Sequence, residues 1–139
     1  MTEINPYLNF NGSCREAMNF YKECLGGELT LMAVKDTPAG AACQAGTENQ
    51  IMHSSLVNDG FTIMATDMTG PEGLQQGNNF SLTVNCSSEE ELNRVFDTLL
   101  AGGTVIEPLK LQFWGGIFGF GADKFGIRWM FNYTKNEQI

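Results

Sequence analysis

Apolar residues recur at steps of three and four from Cys14 through Ala17, Met18, Tyr21 and Cys24 to Leu25, the stripe of a helix with one buried side. Ser13 before the stripe and Glu16 three residues later make a capping-box pair, and Gly26-Gly27 ends the run. The pattern returns after Ser88, where Leu92, Val95, Phe96, Leu99 and Leu100 form the stripe, Glu91 completes the box and Gly102-Gly103 stops it. Nearly equal lengths of chain separate the two starts and the two glycine pairs.

A short strand-like run precedes each helix, at 7–10 and 80–84, and three more follow it. In the first copy these are 28–35, 51–58 and 61–67; in the second they are 104–113, 117–122 and 127–133. The chain therefore reads as βαβββ twice, 1–67 and 80–134, joined by a segment whose Gly70, Pro71, Gly73 and Gly77 mark a linker. One such module leaves a sheet face uncovered, so two are expected to pack as a single α+β domain over 1–139, with curved mixed sheets around a concave cavity.

Composition narrows the function. A chain of 139 residues with 42% apolar and 17% charged positions is one folded domain, not a disordered, collagenous or coiled-coil protein. Its net charge of −8 makes nucleic acid and anionic membrane surfaces poor partners. No run approaches the roughly 18 to 20 apolar residues of a membrane span, and 1–6 lacks a basic segment leading into an apolar one, so a cytoplasmic protein is expected. Cys14, Cys24, Cys43 and Cys86 show no C-x-x-C pairing and read as reduced thiols. Cys14 and Cys24 serve as small apolar residues on the first helix, whereas Cys43, in a Gly/Ala-rich loop, is the one expected to react.

Local motifs sharpen the reading: Tyr7-Leu8-Asn9-Phe10 with Gly12, Glu16-Ala17, Phe20-Tyr21, Leu25-Gly26-Gly27, Met52-His53, Asp67, Phe113-Trp114, Phe118-Gly119 and Asp123-Lys124-Phe125-Gly126 with Trp129. In this order, over nearly the whole chain, they resemble the PhnB-like branch of the vicinal oxygen chelate superfamily, whose members include glyoxalase I, extradiol dioxygenases and bleomycin-binding proteins. The resemblance implies a homodimer and a divalent metal held by three or four His, Glu or Gln side chains on the concave faces. Carried over, those ligand positions fall on Pro6 (or Tyr7, with a one-residue slip), Met64, Asn79 and Met130. None is an imidazole, thiolate or carboxylate, so neither a metal nor a cofactor is expected. The branch is also labelled 3-demethylubiquinone methyltransferase-like, yet no G-x-G-x-x-G follows a strand: after Gly119 and Gly121, Lys124 stands where the third glycine belongs.

His53 is the one histidine. A two-residue turn at Asp59-Gly60 pairs Asn58 with Phe61, Val57 with Thr62, Ser55 with Met64 and His53 with Thr66, and directly opposed residues share a face. His53, Ser55, Val57, Thr62, Met64 and Thr66 then look into the cavity, while Leu56, Ile63 and Ala65 meet the helix. There His53 either moves protons or is hydrogen-bonded at the wall without chemistry. Asp67 orients a polar ligand or caps a turn. On the last strand Arg128 and Asn132 share a face with Met130, where Arg128 clamps an anionic oxygen or reaches the rim; Trp129 and Phe131 face the core. Trp114, before Gly115-Gly116, is placed to stack on a ring or a cation, and the net charge favours a cation. The loop 36–50 is a lid or a disordered excursion. The expected function is binding of a small, partly apolar molecule through His53, Ser55, Thr62, Met64, Thr66, Asn79, Trp114, Arg128 and Met130. The alternative is an enzyme of the same fold, using an unconventional metal site or His53 as acid/base.

Overall fold

The structure, a computed structural model, describes residues 2–38, 40 and 46–134. Cys43 and much of the expected lid lie outside the described residues. The chain divides into two compact units, Met1–Gln75 and Gln76–Ile139.

In the first unit the order is β1 (Tyr7–Asn9), α1 (Cys14–Leu25), β2 (Glu28–Ala33), β3 (Ile51–Asn58) and β4 (Phe61–Thr66). The strands form one sheet in the order β1-β4-β3-β2, with β1 parallel to β4 and the other pairs antiparallel. The second unit repeats this with β5 (Leu82–Asn85), α2 (Glu89–Leu99), β6 (Thr104–Leu111), β7 (Gly116–Ala122) and β8 (Arg128–Thr134), in the sheet order β5-β8-β7-β6. The α+β plan of two βαβββ modules with mixed sheets is thus present, with strand ends differing from expectation by one or two residues.

Each helix buries its stripe on one face of its own sheet. Cys14, Ala17, Met18 and Tyr21 of α1 are buried, as are Leu8, Ile51, Leu56, Ile63 and Ala65 of the sheet. In the second unit Leu92, Val95, Phe96 and Leu99 of α2 are buried with Trp129 and Phe131, and the Phe96 and Phe131 rings meet edge to face at 5.0 Å. Burying each large side chain contributes about 1.5–3 kcal/mol. Gly119 and Gly121 let α2 approach the bare backbone of β7: a Cβ at Gly119 would come within 3.0 Å of Phe96, and one at Gly121 within 2.8 Å of Leu100.

The helix starts differ. The Ser88 hydroxyl accepts from Glu91 N at 3.0 Å, as its motif predicts, although Glu91 returns its bond to Ser87 N, one residue earlier than a standard box. Ser13, expected to cap α1, makes no side-chain capping bond. The carboxylate of Asp67 takes that place from the end of β4, accepting from Gly12 N at 2.7 Å and Cys14 N at 3.0 Å through Oδ1, and from Ile51 N at 2.8 Å through Oδ2. A charged acceptor binds orphan helix amides more strongly than a hydroxyl and complements the helix dipole. The capping alternative for Asp67 is therefore realised, at a helix rather than a turn. In the second unit buried Asp123 does similar work inside the β7–β8 turn, accepting from Phe125 N, Ile127 N and Trp129 Nε1.

Candidate functional site

Alternation along the strands leaves one face of each sheet turned away from its helix. In the first unit the register Asn58↔Phe61, Val57↔Thr62, Ser55↔Met64 matches the expected hairpin. His53 pairs with Met32 on the other side of β3 and Tyr7 with Met64, so Tyr7, His53, Ser55, Val57, Thr62 and Met64 share the open face. The Tyr7 hydroxyl lies 3.0 Å from His53 Nδ1, and the two rings are 5.8 Å apart. The hydroxyl donates if Nδ1 is unprotonated and accepts otherwise.

The expected pairing of His53 with Thr66 fails. Regular pairing of β3 with β4 stops at Ser54↔Ala65, and on the β2 side the partner after His53 is Ile51, which leaves Met52 as a bulge residue. The bulge turns Ile51 into the core, fully buried, and lets Asp67 N donate to Ile51 O at 2.8 Å. Thr66 is itself buried, with its hydroxyl donating to Met52 O at 2.7 Å and accepting from Met68 N at 2.9 Å. Its polar atom is committed to the backbone.

In the second unit the open face carries Arg128, Met130 and Asn132 of β8 beside Ala122, Phe120 and Phe118 of β7. The Arg128 guanidinium carbon sits 5.2 Å from the Phe120 ring centroid, and its Nε is buried with no hydrogen-bond partner among the described residues. Asn132 donates through Nδ2 to Asn85 Oδ1 at 3.3 Å. Trp114, half exposed, folds back toward this face: a Cβ at Gly116 would lie 2.5 Å from Trp114 Nε1 and 3.3 Å from Asn132 Oδ1, so only glycine leaves room for the indole. Phe113 is 96% exposed and meets Trp114 edge to face.

Asn79 requires a correction. It lies in the exposed segment before β5, outside the sheet. The strand register instead places Thr83 opposite Met130, as Tyr7 stands opposite Met64. Counting from the helix missed Thr83 because β5 begins at Leu82, two residues later than read; the parallel pairing with the last strand is the surer guide. Phe118 and Phe120 were also missed as face residues, although their alternation with Gly119 and Gly121 carried the signal.

The donor set can be tested against the metal that the superfamily resemblance implies. A phenol, two thioethers and a hydroxyl at Tyr7, Met64, Met130 and Thr83 do not suit zinc, nickel or iron. Among the described residues no group of three or more His, Cys, Asp or Glu side chains is placed to hold a metal ion. The residues do not fit the group. The buried thiols offer no nucleophile either: burial pushes Cys14 up to about 11, and burial with the Glu91 charge pushes Cys86 up to about 11, leaving both protonated at neutral pH. A separate hollow of about 540 Å³ at the start of α1 is lined by Gly12, Arg15, Glu16 and Asn19, but Asp67 already occupies the anion-attracting end of that helix.

Residues 2–131 match the model of the family described as 3-demethylubiquinone-9 3-methyltransferase. The chain is 32% identical to protein YjdN of Escherichia coli (strain K12), over 96% of this chain and 97% of that one. Among solved structures, protein PA1353 from Pseudomonas aeruginosa is 37% identical with a TM-score of 0.86, covering 98% of this chain and 100% of that one. A putative 3-demethylubiquinone-9 3-methyltransferase, PhnB protein, from Bacillus cereus is 26% identical with a TM-score of 0.76, covering 96% and 100%. A glyoxalase/bleomycin resistance protein/dioxygenase family enzyme from Burkholderia phytofirmans PsJN shares the fold alone, at 13% identity, 92% and 96% coverage and a TM-score of 0.64. Through near-complete coverage, close relatives and the twice-repeated βαβββ plan, the chain belongs to the 3-demethylubiquinone-9 3-methyltransferase-like family, the PhnB-like branch of the vicinal oxygen chelate fold.

Proposed function

We propose that the chain is a small-molecule-binding protein that holds its ligand against the open sheet faces without a metal ion. The observation that carries this reading is the chemistry on the open faces, where Tyr7 pairs with Met64 and Thr83 with Met130: at Tyr7, Met64 and Met130, side chains suited to contacting an organic molecule stand where metal donors are expected. Around them each face sets a polar group among half-exposed apolar ones, a hydrogen-bonded Tyr7–His53 pair in the first unit and, in the second, an Arg128 atom that lacks a partner among the described residues; polar groups placed among apolar ones give small-molecule sites both affinity and orientation.

Methyl transfer, the activity in the family's description, is not part of this proposal. Gly119 and Gly121, the nearest approach to a nucleotide-binding glycine pattern, lie within β7, and their missing side chains make room for Phe96, Leu109 and Leu100. They are packing glycines, not a phosphate loop. A homodimer in the cytoplasm belongs to the same proposal; among the described residues no helix is long and apolar enough to cross a membrane.

Native mass spectrometry with metal analysis of the purified protein tests the reading. The expected spectrum is a dimer without a stoichiometric divalent metal, carrying or accepting a small organic molecule. A stoichiometric metal would overturn it. A second reading, favoured by the 3.0 Å contact between Tyr7 and His53 Nδ1, makes His53 the acid/base of an enzyme. It requires that His53→Ala abolish a turnover on dicarbonyl, thiol or phosphonate substrates while the circular dichroism spectrum stays unchanged.

A further inference from the structure

Arg128 sets a problem that the described residues of its own unit leave unsolved. Guanidinium stays charged throughout the working pH range and carries five N–H donors. Among the described residues its Nε is buried without an acceptor, a state that costs free energy until an acceptor arrives, and more so for a charged donor. The stacking contact with Phe120 holds the group over the sheet, on the open face that β7 and β8 share. An oxyanion gives the strongest complement to a guanidinium edge, through two parallel charge-assisted bonds.

The surroundings define the rest of the occupant. Next to Arg128 along the face come Phe120 and Met130, then Phe118: aromatic and thioether surfaces that favour a flat apolar body. Trp114 marks the far end. It lies over Gly116, six residues along β7 from Ala122, the partner of Arg128, which at the rise of a strand is about 20 Å away. A ligand of one ring engages Arg128, Phe120 and Met130 and leaves Trp114 untouched. We propose that the open face of the second unit binds a small aromatic carboxylate, with the carboxylate on the Arg128 guanidinium and the ring against Phe120 and Met130. The proposal rests on the small-molecule-binding reading and names its ligand class. It also replaces the cation favoured by overall charge, because a single fixed guanidinium at contact range outweighs a net charge spread over the whole surface and screened by salt.

The test titrates the protein with benzoate, benzamide and the neutral dye Nile red by calorimetry and fluorescence, up to about 10 mM for benzoate and benzamide. Benzoate is expected to bind about tenfold or more tightly than benzamide. Arg128→Gln is expected to remove that preference, bringing the two affinities together. Arg128→Lys keeps the charge but lacks the planar fork, and is expected to weaken benzoate while the thermal melt stays within a few degrees. The Nε–Hε resonance of Arg128, assigned by its loss in Arg128→Lys, is expected to move on addition of benzoate and not of benzamide; this reading needs no folded variant beyond the assignment. Equal affinity for benzoate and benzamide, or a stationary Nε resonance, overturns the proposal. If Nile red still binds in that case, the small-molecule reading stands without this ligand class, and if none of the three binds, both fall. A change in subunit count on Arg128→Gln with no change in benzoate affinity would make a second copy of the chain the partner of Arg128, and would also overturn it.

Discussion

The open faces of the two units share a backbone and differ in chemistry. Each has a four-stranded sheet with its first and last strands parallel and neighbouring, and each puts a methionine on the last strand opposite a residue of the first: Met64 beside Tyr7, Met130 beside Thr83. Around that common pair the first unit presents hydroxyls and an imidazole joined by a hydrogen bond. The second presents two phenylalanines, one of them, Phe120, under the Arg128 guanidinium. Strand alternation makes this possible, because residues on one face change without disturbing those that meet the helix. A repeated scaffold thereby supplies a titratable polar surface and an aromatic surface with a fixed positive charge.

The helix starts extend the contrast and provide the largest expected effect. Asp67→Ala removes a buried acceptor from three backbone amides and is expected to lower stability by about 3 kcal/mol or more in urea unfolding; a loss below about 1 kcal/mol would mean that the carboxylate is not the keystone of the first unit. The buried thiols should bring the two units together instead. With Cys14 and Cys86 both raised to about 11 from 9.0 by burial, the folded chain holds protons that the unfolded chain releases. That stabilisation is complete below pH 9 and is lost as pH rises through 11, at most about 2–3 kcal/mol per thiol. Urea midpoints measured from pH 8 to 11 are expected to fall, and substituting each cysteine by alanine should flatten its own share of the slope.

Ser88→Ala tests the local cap of α2 and is expected to cost about 1 kcal/mol, distinctly less than Asp67→Ala; equal costs would erase the difference between the two helix starts. The smallest effect concerns the open face itself. Tyr7→Phe removes the hydroxyl from His53 Nδ1 at a part-exposed site, so a loss of less than about 1 kcal/mol is expected, together with a change in the His53 tautomer balance seen in ring nitrogen NMR shifts. Unchanged nitrogen shifts would show that the Tyr7–His53 contact has no hold on the imidazole.

Much of this fold was legible in the sequence because it rests on local rules. The helical stripes of Cys14 to Leu25 and Leu92 to Leu100, the glycine stops and the Asp59-Gly60 hairpin all follow from periodicity and turn chemistry, and the register from Asn58↔Phe61 to Ser54↔Ala65 follows from the turn. The placement of the candidate residues on the open face was legible where that register ran on undisturbed, as at Ser55, Thr62 and Met64, whereas His53 is placed there by its pairing with Met32 of β2. Thr66 was misread because the bulge at Met52 belongs to a network tied by Asp67, whose partners Gly12 and Cys14 are more than fifty residues away in the chain. Ser13 failed as a cap for the same reason: no short motif announces that a distant carboxylate will take its place. Thr83 and the Arg128–Phe120 contact emerge only once strands are paired across the sheet, since neither is a neighbour in sequence.

Asp67 also shapes how the first unit moves. One carboxylate grips amides from the turn before α1, from its first residue and from the start of β3, while its own N–H closes onto Ile51. These pieces cannot fray one at a time without abandoning a buried negative charge, so the region opens as a block. In hydrogen exchange the amides of Gly12, Cys14 and Ile51 should therefore surrender their protons to solvent with a common free energy of opening, as a single latch releasing three doors.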